Sequence, residues 1–288
     1  MYPMDPLRDR AVVDAEEDGA PTQQALARFG AVIAALNEEL DWPGLGLVYC
    51  EEGGADFFAE EEREAVFDAG LEFAAELGSS LVPGGASLYV GAGVAELAPI
   101  CFEALVLGRS LTIASLPCFE VDELNRAFAA IEERLACSLP RFVAAPLAEL
   151  PDSAHQGPFD HAWIVSVLSD PDAFPALHDE LYERRTPEEG ATGRGDLADD
   201  EQRAALLVGD VLQRLGDTAL LSTTDEEGRL FGPALLAAGY AVEMPRKGRY
   251  SPIVGDVVRH LILTLASQAA PASPWGSGAL SADPGASV

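Results

Sequence analysis

Residues Ser87-Leu88-Tyr89-Val90-Gly91-Ala92-Gly93-Val94-Ala95-Glu96-Leu97 constrain the fold of this chain more than any others. Residues suited to a strand run into a Gly-x-Gly turn, and the turn runs into the start of a helix. Glycine has no Cβ, so such a turn lets the backbone come close to a ligand of nucleotide type. The full dinucleotide fingerprint carries a third glycine; here Glu96 holds that place, preceded by Ala95. The segment therefore specifies a strand–turn–helix unit more firmly than it specifies a nucleotide.

From this unit onward strand-like runs alternate with helical spacing. Ser87 to Val90 is the first strand, Ser110 to Ser115 the second, Arg141 to Ala145 the third, Ala162 to Leu168 the fourth and Thr218 to Thr223 the fifth. Helices are expected at Ala95 to Leu107, with Gly108 to end it, at Val121 to Leu135, after Asp170-Pro171, and up to Leu215. Phe231 to Ala238 is a short helix closed by Gly239, and Tyr240 to Met244 and Arg259 to Leu265 are two final strands. The fourth run is apolar throughout, which marks a central strand covered on both faces. Alternation of this kind builds a parallel sheet with helices on each side, and ligands bind beyond the carboxyl ends of its strands.

Upstream, Gln23 to Leu40 and Ala59 to Leu77 have helical apolar spacing, joined by a Pro- and Gly-bearing connector over Asp41 to Asp56. The expected organisation is a flexible acidic arm at 1–22, a helical cap at 23–80, the α/β domain at 81–267, and an Ala/Pro/Ser/Gly-rich disordered tail at 268–288. Residues 1–80 carry 19 Asp or Glu against 4 Arg, half of the chain's net charge of −30. Such acidity argues against a nucleic-acid partner and equally suits a high-salt cytoplasm. Lys247 is the sole lysine among 18 basic residues, which points to codon bias.

No apolar run is long and charge-free enough to cross a bilayer, and the first residues lack the regions of a signal peptide, so a cytoplasmic protein without a membrane partner is expected. Cys50, Cys101, Cys118 and Cys137 form no C-x-x-C pair and are read as reduced thiols. No His, Cys and Asp grouping has metal-ligand spacing, so no metal is expected.

From Ser87 to Leu265 the order of elements resembles the class I S-adenosylmethionine-dependent methyltransferases. The family's first motif, an acidic residue followed by x-Gly-x-Gly-x-Gly, has its counterpart in Tyr89-Val90-Gly91-Ala92-Gly93-Val94-Ala95. Gly157-Pro158-Phe159-Asp160 looks like the family's Phe-Asp lead into the fourth strand, and Leu215 to Thr223 resembles its Gly-bearing turn into the fifth. The resemblance implies an α/β fold: a Rossmann-like, doubly wound, mostly parallel seven-stranded sheet, here with N-terminal helices. It implies S-adenosylmethionine as the cofactor and methyl transfer to a small-molecule or protein acceptor. Carried onto this sequence, the cofactor-binding positions are Tyr89, Gly91, Ala92, Gly93, Ala95, Ser115 at the end of the second strand, and Ser166 near the end of the fourth.

Three places depart from the family's pattern. Tyr89 replaces the first motif's carboxylate, Ser115 stands where the family has an acid for the cofactor ribose, and Ala145-Pro146-Leu147 replaces the aspartate near the adenine. Glu120 and Glu96 are the nearest acids that could compensate. Without compensation the chain would be a catalytically inactive methyltransferase-fold binding or scaffold protein, which is the alternative reading.

Ser166, Ser169, Asp170 and Asp172 fall where an acceptor would sit, and Ser169-Asp170-Pro171 is equally a helix cap. His155 and His161 flank the start of the fourth strand, away from the expected cleft. The acids of Thr223 to Gly228 could meet a cationic substrate or be an exposed turn. The basic cluster Arg246, Lys247 and Arg249 beside Tyr250 could meet an anion or neutralise nearby acids.

Overall fold

The computed structural model describes residues 21–50, 53–150, 158–245 and 247–266. The expected tail, all of the acidic arm except Pro21 and Thr22, and His155, Gly157 and Arg246 lie outside the described residues.

The chain opens with α1 (Gln23–Glu39), whose N-cap Thr22 accepts the Ala25 N–H at 3.1 Å. The segment expected as a connector instead contains α2 (Trp42–Tyr49). Asp41 caps it by accepting the Gly44 N–H at 3.1 Å, and Pro43 falls in the first turn, where its missing N–H costs nothing. Gly46 is there for close approach: a Cβ on it would come 2.5 Å from the Gly54 carbonyl oxygen. α3 (Glu60–Ser80) follows, with Glu60, Glu61 and Glu62 in the first turn complementing the helix dipole.

The α/β part then runs β1 (Ala86–Val90), α4 (Leu97–Leu105), β2 (Ser110–Ser115), α5 (Phe119–Leu135), β3 (Phe142–Ala144), β4 (Phe159–Ile164), α6 (Pro175–Leu181), α7 (Leu197–Leu212), β5 (Leu215–Thr224), α8 (Asp225–Ala237), β6 (Tyr240–Glu243), β7 (Arg249–Tyr250) and β8 (Val257–Leu265). The strand order is β3-β2-β1-β4-β5-β8-β6. β3 through β5 are mutually parallel, and β8 is antiparallel to both β5 and β6. This is the mostly parallel, doubly wound sheet expected from the resemblance. The two-residue β7 adds an eighth strand on β8, brought so close that a Cβ on Gly248 would meet Val257 Cγ1 at 2.4 Å.

Two element boundaries moved for identifiable reasons. β5 starts three residues earlier than expected because Gly216 and Asp217 are absorbed as an irregularity: Phe159 pairs with Leu215, while His161 pairs with Leu220. β4 ends at Ile164 rather than Leu168, since Ser166 adopts φ +60 and the backbone turns away.

Alternation along the strands sends side chains to two cores. Tyr89, Ile113, Trp163 and Val258 join a core with residues of α4 and α5, while Leu88, Ala114, Ile164 and Leu261 join one with residues of α6 to α8. Phe29 and Leu36 of α1, Trp42 of α2 and Phe73 of α3 belong to the first of these cores, so the N-terminal helices and one face of the sheet are packed as a unit.

A polar chain is buried within that face. Arg109, just ahead of β2, has a fully buried side chain and pairs with Glu103 of α4 at 3.0 Å and with Asp160 of β4. Its guanidinium also donates to Ser87 Oγ at 2.9 Å and to the carbonyls of Val82 at 2.6 Å and Ala86 at 3.1 Å. Glu103 accepts from Tyr89 Oη at 2.5 Å and from Ser87, and lies 2.9 Å from His161 Nδ1. Burial alone would raise the Glu103 pKa; His161 and the hydroxyls around it hold it below the ordinary carboxylate value. The chain continues from His161 Nε2 to Ser222 Oγ at 3.0 Å, on to His260 Nδ1 at 2.7 Å, and ends with His260 Nε2 at 3.4 Å from Glu76 of α3. Burial, then His161, pushes His260 down to about 4, so its ring is neutral at neutral pH. The serine lies between two imidazoles, but Ser222 has no exposed surface.

Removing one side of a buried ion pair strands the other charge. Glu103→Ala and Arg109→Ala are each expected to lower folding stability by about 3–5 kcal/mol. Urea titration checks this, and a shifted midpoint at unchanged slope is the expected form.

Candidate functional site

The strand order reverses between β1 and β4, with β2 and β3 on one side and β5 on the other. Beyond the carboxyl ends of β1, β2 and β4 lies a cleft of about 360 Å³. That is the place and the lower size range of a small-ligand site in an open α/β sheet. Gly91 and Ala92 from the β1 turn, Ser115 and Leu116 from the end of β2, Ala145 to Leu147 after β3, and Ser166, Val167 and Asp170 after β4 line it.

The glycine turn is fitted to protein groups on both sides. Gly91 has φ +68, donates its N–H to the Ala114 carbonyl at 2.8 Å, and leaves no room for a Cβ, which would lie 2.5 Å from Val167 Cγ2. Ser115 Oγ donates to the Ala92 carbonyl at 2.9 Å, so this serine pins the turn. A Cβ on Gly93 would lie 2.5 Å from Glu120 Oε1 and 2.9 Å from Tyr49 Oη. The next two turn amides are held by carboxylates: Gly93 N–H by Glu96 Oε2 at 2.9 Å, and Val94 N–H by Glu120 Oε1 at 2.7 Å.

Glu120 stands in the first turn of α5 and lines the cleft. Its Oε1 also accepts from Tyr49 Oη at 2.7 Å, whereas its Oε2 makes no hydrogen bond with a described residue. Burial raises the pKa of both acids, that of Glu96 to about 7, with Glu120 adding to the shift of Glu96.

Of the residues expected around a cofactor, Gly91, Ala92, Ser115 and Ser166 meet in the cleft. Tyr89, Gly93 and Ala95 do not line it. Tyr89 is wholly buried on the other face of β1, its hydroxyl on Glu103 and its ring stacked 5.8 Å from Trp163. Gly93 is turned toward Glu120 and Tyr49, and the Ala95 carbonyl lies toward Gly70 of α3. In the sequence Glu120 is only the nearest acid to the missing one. The phase of α5, which starts at Phe119 rather than Val121, is what brings it to the turn.

The loop after β4 hangs on a second buried carboxylate. Glu227 of α8 accepts the N–H groups of Ser166 at 3.0 Å, Leu168 at 2.6 Å and Ser169 at 3.3 Å, and the Thr223 hydroxyl at 3.2 Å. Four donors on one wholly buried group hold Ser166 in its positive-φ conformation. Of the acids between Thr223 and Gly228, Glu227 is thus engaged internally and Asp225 is paired to Arg259. Asp170 accepts the Asp172 N–H at 2.8 Å and the Ala173 N–H at 2.7 Å, capping a turn, and α6 begins later, at Pro175.

Arg249 of the expected basic cluster is taken up by Glu72 and Glu76 of α3, the latter at 2.5 Å. Lys247 is exposed. Among the described residues no group of His, Cys, Asp and Glu could hold a metal ion, and no helix is long and apolar enough to cross a membrane.

No family model matches the sequence, and no curated protein matches it. Solved structures do align with the chain. A precorrin-6y C5,15-methyltransferase from Geobacter metallireducens GS-15 is 14% identical with TM-score 0.38, over 68% of this chain and 87% of that one. A methyltransferase from Pyrococcus furiosus is 14% identical with TM-score 0.39, over 67% of this chain and 81% of the other. P. horikoshii TYW2 in complex with MeSAdo is 14% identical with TM-score 0.42, over 68% of this chain. The chain spans 63% of that protein's length, and 46% of a further matched chain.

The raised pKa of Glu96 links folding to pH. An acid with a folded pKa near 7 and an unfolded value near 4.5 contributes stability that is fully present below 4.5 and lost as pH rises through 7. Glu96→Gln keeps an acceptor for Gly93 and removes the titration. Compared with wild type by urea titration between these pH values, the variant should gain relative stability as pH rises, by about 3 kcal/mol at the upper end.

Proposed function

We propose that the chain binds S-adenosylmethionine in the cleft beyond β1, β2 and β4 and transfers its methyl group to a small-molecule or protein acceptor. The observation that carries this reading is Glu120. Its residue lines the cleft beside the glycine turn, with one carboxylate oxygen fixed by two donors and the other without a hydrogen bond to a described residue. In the family resembled, an acid at the end of the second strand takes the ribose hydroxyls. Here Ser115 is short and already bonded to the turn, and Glu120 supplies the acid from the following helix.

The remaining roles follow from position. Leu116, Ala145, Pro146 and Leu147 offer apolar contact to an adenine ring, in place of the missing aspartate. Ser166 and Asp170, on the loop tied to Glu227, face the part of the cleft where an acceptor would be held.

Bound S-adenosylmethionine supplies a methyl group already activated by its sulfonium. The protein therefore needs to hold an acceptor in line and exclude water rather than to supply an acid and a base. The rigid suspension of Ser166, Leu168 and Ser169 from Glu227 serves that positioning.

Calorimetric titration with S-adenosylmethionine and S-adenosylhomocysteine tests the proposal; no detectable heat at millimolar ligand would overturn it. Glu120→Gln removes hydrogen bonds to a charged group and should weaken binding about 10- to 150-fold. Cys118 gives a readout independent of catalysis. It is an exposed free thiol on the cleft wall, so bound S-adenosylhomocysteine should slow its alkylation.

A further inference from the structure

The N-terminal helices reach the proposed nucleoside end of the cleft through one side chain. Tyr49, the last residue of α2, places its hydroxyl 2.7 Å from Glu120 Oε1. The same oxygen takes the Val94 N–H at 2.7 Å, so two donors from different parts of the chain fix one carboxylate oxygen of a residue that lines the cleft. The tyrosine ring is itself braced: it stacks on Phe57 with centroids 6.2 Å apart and meets Phe58 edge-on at 5.2 Å. Phe58 in turn packs edge-on against Trp42 at the start of α2, with centroids 5.3 Å apart. A ring held this firmly has little freedom to swing its hydroxyl elsewhere, and the space for that hydroxyl exists because residue 93 has no Cβ.

We propose that Tyr49 is a positioning residue for Glu120, so that the N-terminal helices are a working part of the cofactor site rather than only its cover. This rests on the function proposed above. Tyr49 touches neither cofactor nor acceptor and acts through the carboxylate. The hydroxyl stabilises the ionised carboxylate and orients it, so the unengaged oxygen meets ligand hydroxyls without a rotamer search. The titratable groups facing Glu120 are Tyr49 from α2 and Glu96 from the turn; burial raises the Glu120 pKa, and the Tyr49 and Val94 hydrogen bonds oppose that rise.

The test is a double-mutant cycle of Tyr49→Phe, Glu120→Gln and the double variant, with S-adenosylhomocysteine as the calorimetric probe. Tyr49→Phe keeps the ring and its aromatic contacts, and should weaken binding about ten-fold. In the Glu120→Gln background the same change should have no further effect. Equal weakening in both backgrounds would mean that Tyr49 only supports the fold, and unchanged binding in the wild-type background would equally overturn the proposal.

A second readout needs no ligand. In Tyr49→Phe the titration midpoint of the Glu120 side-chain carboxyl, followed by carbon NMR, should move upward because the ionised form loses a donor; an unmoved midpoint overturns the proposal. If wild-type protein fails to bind S-adenosylhomocysteine, the function proposed above fails, while this titration still decides whether Tyr49 controls Glu120.

Discussion

Arg109 and Glu103 are two opposite charges on side chains with no exposed surface, and much of the sheet is arranged to make that tolerable. A guanidinium carries five N–H groups in a fixed plane, and each must find an acceptor once buried. Here the acceptors come from α4, from β1, from the segment before β1 and from the start of β4, so satisfying one side chain fixes the relative positions of all of them. Gly85 shows how tight the arrangement is: a Cβ there would sit 2.3 Å from both Arg109 Nη1 and Asp160 Oδ2. The pair lies near the amino ends of β1 and β4, while the cleft lies beyond their carboxyl ends. Rigidity at one end of the strands thus leaves the other end to loops and turns.

The surface charges work differently. Arg134 meets Glu38 and Glu39 of α1, and Arg249 meets Glu72 and Glu76 of α3, so several of the few arginines join the acidic N-terminal helices to the α/β part. Exposed pairs of this kind contribute little individually. The union of the two parts rests instead on the apolar core that Phe29, Leu36, Trp42 and Phe73 share with Tyr89 and Trp163. In a chain with net charge −30, those arginines relieve local repulsion more than they add strength.

The fold was legible in the sequence because period is a local property. The strand–turn–helix at Ser87 to Leu97, the apolar run through Ile164 and the two closing strands are all written in short windows. The places that misled are those where local residues carry two meanings. Pro43 with its neighbouring glycines looks like a loop, yet proline in a first turn is compatible with a helix, and α2 is one. Tyr89 sits on a motif position, but strand alternation turned it to the face opposite the cleft. The buried chain from Arg109 to His260 joins residues from four strands, a juxtaposition that pairing register creates and no window displays. Glu120 was visible as an acid, but its contact with Val94 depends on where α5 begins.

The absent side chain at residue 93 has a consequence for how such turns change over evolutionary time. The space it leaves is filled by Glu120 and Tyr49, from helices 26 or more residues away in sequence, and not by solvent. Three positions are therefore locked to one another: a larger residue at 93 is admissible only if the carboxylate or the phenol withdraws. Among descendants of this chain, substitution at 93 should travel with substitution at 49 or 120. A glycine kept there is evidence of a preserved internal contact first, and of a preserved ligand only through it.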